Sequence, residues 1–106
     1  MEMVVRVKKE HVYDREGGRI VKEQILNLLP KATPENRVVF DFAEVDMVTN
    51  SFADEVFGKL IRDVGFPQFK AVTTFRNANS FVTAVIRSAI YSRNEQWFKE
   101  QAGCLQ

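Results

Sequence analysis

Cysteine and histidine are almost missing from this chain: one of each, Cys104 and His11, in 106 residues. A lone cysteine cannot close an intrachain disulfide and fits a reducing compartment. One cysteine with one histidine cannot supply a closed zinc site, and His11 lies in a polar stretch with no Cys or Ser motif partner. Long apolar runs are also lacking. Nothing approaches the ~18 consecutive apolar residues of a membrane span, and the opening Met-Glu-Met-Val-Val-Arg is not laid out as a leader. Net charge is nearly absent: 15 Lys+Arg against 14 Asp+Glu leave +1, which argues against a polyanion binder of the basic-patch kind. Gly17-Gly18 carries neither the phosphate-loop Lys-Ser/Thr nor GxGxxG spacing, and reads as a turn. These absences predict a small cytoplasmic globular domain over residues 1–106. They predict no metal, no other cofactor, no membrane contact and no catalytic residues.

What is present alternates. The hydrophobic fraction, 45%, suffices for one modest core. A β-branched run predicts an edge strand over residues 3–8. Val21, Ile25, Leu28 and Leu29 recur at helical spacing before Pro30. Residues 37–42 are apolar on both parities in their middle, as a strand covered on both faces requires. Phe52, Val56, Phe57, Leu60, Ile61 and Val64 form the broadest stripe, predicting a helix over 51–64. Ser51 followed by Asp54 reads as its capping box, and Gly65 with Pro67 as its end. Residues 69–75 read as a strand. Asn77 or Asn79 then caps a helix carrying Phe81, Val82, Val85, Ile86, Ala89 and Ile90. Beyond Ser92 the pattern weakens, and 95–99 reads as a separate short helix. Residues 45–48 are a candidate for one more short extended segment. The order predicts a small α/β layered domain, with a mixed, mostly parallel sheet flanked by three to four helices. The first strand is open to being antiparallel or part of a hairpin.

In such sheets the functional crevice lies outside the carboxyl ends of the strands. Two loops fall there, residues 43–50 and 76–79. Asp41, Asp46, Arg76, Asn77 and Asn79 are therefore candidates for a ligand crevice that could hold an anion or nucleotide phosphate. Capping and turn duty is the plainer reading of the asparagines. Residues 41–63 hold six acids against Lys59 and Arg62, a net of −4. Acids near a helix start also suit the helix dipole. The sharper reading is an acidic docking face for a basic partner. Residues 67–106 carry a net of +3, so the chain reads as mildly dipolar, which favours a homodimer more than nucleic acid. Trp97 and Phe98 are expected to pack back onto the domain.

Phe40-Asp41-Phe42-Ala43-Glu44-Val45-Asp46-Met47-Val48-Thr49-Asn50-Ser51-Phe52-Ala53-Asp54-Glu55 resembles the core of the STAS superfamily, the sulphate transporter and anti-sigma factor antagonist fold. The closer similarity is to STAS-like prokaryotic domains of unknown function. Ser51-Phe52-Ala53-Asp54-Glu55-Val56-Phe57-Gly58-Lys59-Leu60 follows their pattern at nearly every place. The resemblance spans about residues 18–92, leaving 93–106 as a C-terminal extension. It implies a regulatory, non-enzymatic module for protein–protein interaction, whose partner in anti-sigma antagonists is a histidine-kinase-like ATPase that phosphorylates a serine at the helix start. Of the family's Asp-Ser-Ser-Gly, the Asp falls on Thr49, the phosphoacceptor Ser on Asn50, the second Ser on Ser51 and the Gly on Phe52. Asn50 cannot accept phosphate, so a phosphosite would move to Ser51 or Thr49. Ser51 as a plain helix cap, worth ~1 kcal/mol, is the alternative. The candidate partner-binding surface is Thr49, Asn50 and Ser51 with the helix side bearing Asp54, Glu55, Gly58 and Arg62. Rival readings are a small-ligand or nucleotide sensor, or an accessory nucleic-acid-associated protein of a mobile element or defence system.

Overall fold

The computed structural model describes residues 3–104, with side chains through Arg93 and at Glu95. Three strands form its sheet: β1 (Met3–Arg6), β2 (Val38–Asp41) and β3 (Thr73–Arg76). Their order is β1-β2-β3, and both pairings are parallel. The expected mixed character of the sheet, with β1 antiparallel or in a hairpin, is corrected to parallel throughout. Parallel neighbours need long crossovers, and the helices between the strands supply them. β2 is central and buried at all four positions, which explains its apolar residues on both parities. Residues 45–48 form no strand; Val45 and Val48 are instead buried anchors of an irregular loop.

The first crossover is α1 (Arg15–Leu28), which begins earlier than the apolar spacing predicts. Asp14 caps it by accepting from the Gly17 N–H at 2.8 Å. Gly17-Gly18 is thus helical and not a turn. These glycines are there for space: a Cβ on Gly17 would collide with the His11 carbonyl, and one on Gly18 would sit 2.9 Å from the Glu55 Cβ. Close approach, unlike turn formation, leaves no pattern in the neighbouring residues.

The second crossover runs through α2 (Asn50–Ala53), a π-helical turn (Asp54–Gly58) and α3 (Lys59–Val64) without a break. Phe52, Val56, Phe57, Leu60 and Ile61 are buried as the stripe predicts, while Val64 is exposed. Glu55, Val56, Phe57 and Gly58 are four consecutive buried residues. A helix with one wet face cannot bury four in a row. Here α1 and α5 (Ser80–Cys104) both pack against the turn and cover those four residues.

Residues 69–75 are only half strand. Gly65, at φ +85°, ends α3, and Pro67 lies in the first turn of α4 (Phe66–Val72), so that proline opens a helix where a stop was expected. Phe69 and Val72 are its buried side. Thr73 starts β3 and donates its hydroxyl to the Phe69 carbonyl at 2.6 Å. Asn79 caps α5, accepting from the Val82 N–H at 2.8 Å. This helix continues through residue 104 with no break after Ser92. The side chains of Trp97, Phe98 and Cys104 lie outside the described residues. At the centre, Phe40 meets Phe57 edge-on at 5.1 Å and stacks on Phe75 at 5.3 Å.

Candidate functional site

The strands point their carboxyl ends at one edge, where the segments after β1, β2 and β3 converge. Thr49 ties two of them together. Its N–H donates to the Val12 carbonyl at 3.0 Å, and its hydroxyl also reaches that oxygen, at 3.3 Å. The same Oγ1 accepts from the Phe52 N–H at 3.1 Å and caps α2. The cap is therefore Thr49; the Ser51–Asp54 box is not formed. The reason is the chain's approach: bonding to Val12 places residue 49, not 51, at the turn into the helix. Asn50 and Ser51 follow on the first turn, both exposed. Tyr13, 55% exposed, and Met47, 39% exposed, line a shallow recess of about 70 Å³ in the same loops, with Glu44 and Asp46 on its wall.

The crevice residues bind each other. Asp41, at the end of β2, is 4% exposed. Its carboxylate accepts from Asn77 Nδ2 at 3.0 Å, from the Ala43 N–H at 3.0 Å and, at a longer 3.4 Å, from Arg76 Nη2. The Asn77 amide, then the Ala43 N–H and Arg76, hold its pKa below the usual aspartate value. Asn77 adopts a left-handed backbone, φ +61°, which asparagine tolerates better than most residues. Asn79 works with both ends of its amide. While Oδ1 caps α5, Nδ2 donates to the Asp46 carbonyl at 2.9 Å. Asp46 is thus engaged through its main chain, and its side chain is exposed.

The expected acidic face is largely neutralised inside the molecule. Asp54 Oδ1 pairs with Arg93 Nε at 2.8 Å, and its Oδ2 with Arg93 Nη2 at 2.9 Å and Arg15 Nη1 at 3.0 Å. The Arg93 bonds above all, then Arg15, lower the Asp54 pKa to about 2 against the opposing effect of burial. Arg93 is raised in turn by Asp54. Glu55 is 2% exposed and bonds Lys59 Nζ at 2.8 Å and Lys22 Nζ at 3.0 Å. Burial pushes this carboxyl up, but the two lysines prevail and bring it to about 2. Gly58 is buried too, and a Cβ there would press on Asp54 and on Arg93 Cγ at 3.0 Å. Asp54, Glu55 and Gly58 therefore face α1 and α5, not a solvent-exposed docking side. Only Arg62 of that set stands out in solvent, beside Asp63 at 3.0 Å.

Of the residues singled out from sequence, Thr49, Asn50 and Ser51 are contiguous at the sheet's carboxyl edge, and Asp41, Arg76 and Asn77 form one bonded cluster. Val12, Tyr13 and Met47 were missed. Lys59 is legible as the i+4 partner of Glu55, but Lys22 and Arg93 lie 33 and 39 residues from their acids, with no local signal.

A three-stranded parallel sheet, crossovers on helices and a capped helix start at its carboxyl edge define an α/β layered domain of STAS-like type. A family model described as STAS-like domain of unknown function (DUF4325) matches residues 17–83, more than half of the chain, from α1 into the start of α5. The chain belongs to this family. No curated protein and no solved structure matches it. No helix among the described residues is long and apolar enough to cross a membrane.

Proposed function

We propose that this domain is a non-enzymatic regulatory module that docks another protein through Asn50 and Ser51, with Tyr13 and Met47 beside them. The observation that carries the reading is the division of labour at the helix start. Thr49 makes the cap and leaves the Ser51 side chain exposed. Exposed aromatic and thioether side chains next to a polar helix start are suited to contact a partner. The cytoplasm of a prokaryotic cell is the proposed setting.

The finer proposal is a histidine-kinase-like ATPase as partner and Ser51 as the residue it modifies. A phosphate there adds a charge of about −1.5 to −2. The nearest acids on the helix, Asp54 and Glu55, already have cationic partners, which reduces the repulsion. A ligand crevice is the weaker reading, because Asp41, Arg76 and Asn77 are bonded to one another. Incubation with the purified ATPase and MgATP, followed by mass spectrometry, tests the modification. Phosphate on Ser51, absent in Ser51→Ala, is expected; phosphate elsewhere or none overturns it. The docking surface is tested separately by titration calorimetry. Asn50→Arg or Tyr13→Ala should weaken binding, and Arg62→Glu should not. Equal affinity for all variants would exclude this surface.

A further inference from the structure

β3 is an edge strand: β2 pairs with one side, and among the described residues no strand pairs with the other. The Phe42 N–H donates to the Arg76 carbonyl, so Arg76 turns its main-chain groups toward β2. The alternation of a strand then turns those of Phe75 to the open side. Beside this edge, between α4 and α5, runs a groove of about 790 Å³, within the roughly 300–1,000 Å³ of ordinary ligand sites. Its apolar lining includes Phe66, Phe69, Ile86, Ile90 and Phe75, the last 38% exposed despite its stacking on Phe40. The charged lining has one sign among the described residues: Arg37, Lys70 and Arg87, with no carboxylate. Neither Lys70 nor Arg87 has an ion-pair partner among the described residues.

We propose that this groove takes an extended acidic and apolar segment of a partner protein, added to the sheet as a fourth strand along β3. The main chain of the segment bonds the open N–H and C=O of Phe75 and fixes the register. Alternate side chains enter the apolar floor, and the acids between them meet Lys70, Arg87 and Arg37. A second copy of this chain fits less well, because an isologous contact sets the same three cations against each other. The groove shares no residue with the surface around Ser51, so the two proposals stand or fall separately.

The probe is a phage library of random dodecapeptides panned on the full chain. Enriched sequences should alternate apolar residues with Asp or Glu. A synthetic copy should bind in fluorescence polarisation, more weakly at high salt. The double substitution Lys70→Glu, Arg87→Glu should weaken it roughly tenfold or more. Both side chains are exposed, and circular dichroism checks that the variant is folded. In the complex, hydrogen exchange at the Phe75 amide should slow by about tenfold or more. No enrichment, enrichment of basic peptides, unchanged affinity in the charge-reversed variant or unchanged Phe75 exchange each overturns the proposal. A dimer that protects Phe75 without peptide, seen by sedimentation and exchange, overturns the choice of occupant.

Discussion

Thr49 and Ser51 are two residues apart and both carry a hydroxyl, yet only one is bonded where the helix begins. Thr49→Val keeps the branching and removes the hydroxyl, and should lower stability by about 1–2 kcal/mol in urea denaturation. Ser51→Ala should stay within about 0.5 kcal/mol. The reverse ranking would return the cap to Ser51. The motif Ser-x-x-Asp was readable locally, but the choice between the hydroxyls depends on the Val12 carbonyl, 37 residues upstream. Asp54 and Glu55 give a second test. Both titrate lower in the folded chain, near 2, than at their ordinary values of 3.8 and 4.5. Their stabilisation is therefore complete above about pH 5 and is lost as pH falls toward 2. Each contributes up to about 2–3 kcal/mol, reduced by salt. Urea midpoints at neutral, mildly acidic and strongly acidic pH should decline accordingly, and Glu55→Gln should flatten part of that decline.

Among the elements, α1 shows how a helix can hide its start. Glycine normally disfavours a helix by about 1 kcal/mol relative to alanine, so Gly17-Gly18 reads as its boundary. The packed backbone at His11 and the side chain of Glu55 reverse that logic. Gly17→Ala should therefore destabilise by roughly 1–3 kcal/mol, opposite to the gain expected at an open helical site; a raised melting temperature would contradict the packing. β2 was legible because burial on both faces writes itself into composition. α4 was not, since Phe69, Val72, Thr73, Thr74 and Phe75 have the preferences of a strand. Gly65 and Pro67 set the chain direction that makes the first part helical. α5 runs on past its apolar stripe, and Arg93, at the point where the pattern fails, is held by Asp54 on the π turn.

For the molecule as a whole, segment charges overstate the dipole. The −4 of residues 41–63 faces Arg15 and Lys22 from α1 and Arg93 from α5, so much of the field closes inside the fold. What the sequence showed correctly was the alternation of strands and helices. What it could not show was which neighbours neutralise which acids, since that depends on packing between distant segments.

The sheet register also governs how the chain can fold. Val4 pairs with Val39 and Val39 with Thr74, so each partner lies 35 residues away along the chain. No pair of strands can close as a hairpin, and loop-closure entropy is lost before any sheet bond forms. β2 is completed only by contacts from both directions, which makes assembly cooperative. Fragments 1–44 and 45–106 should each lack a cooperative melting transition by circular dichroism, and mixing them should restore one. A fragment that melts cooperatively alone would mean that half the sheet is self-sufficient.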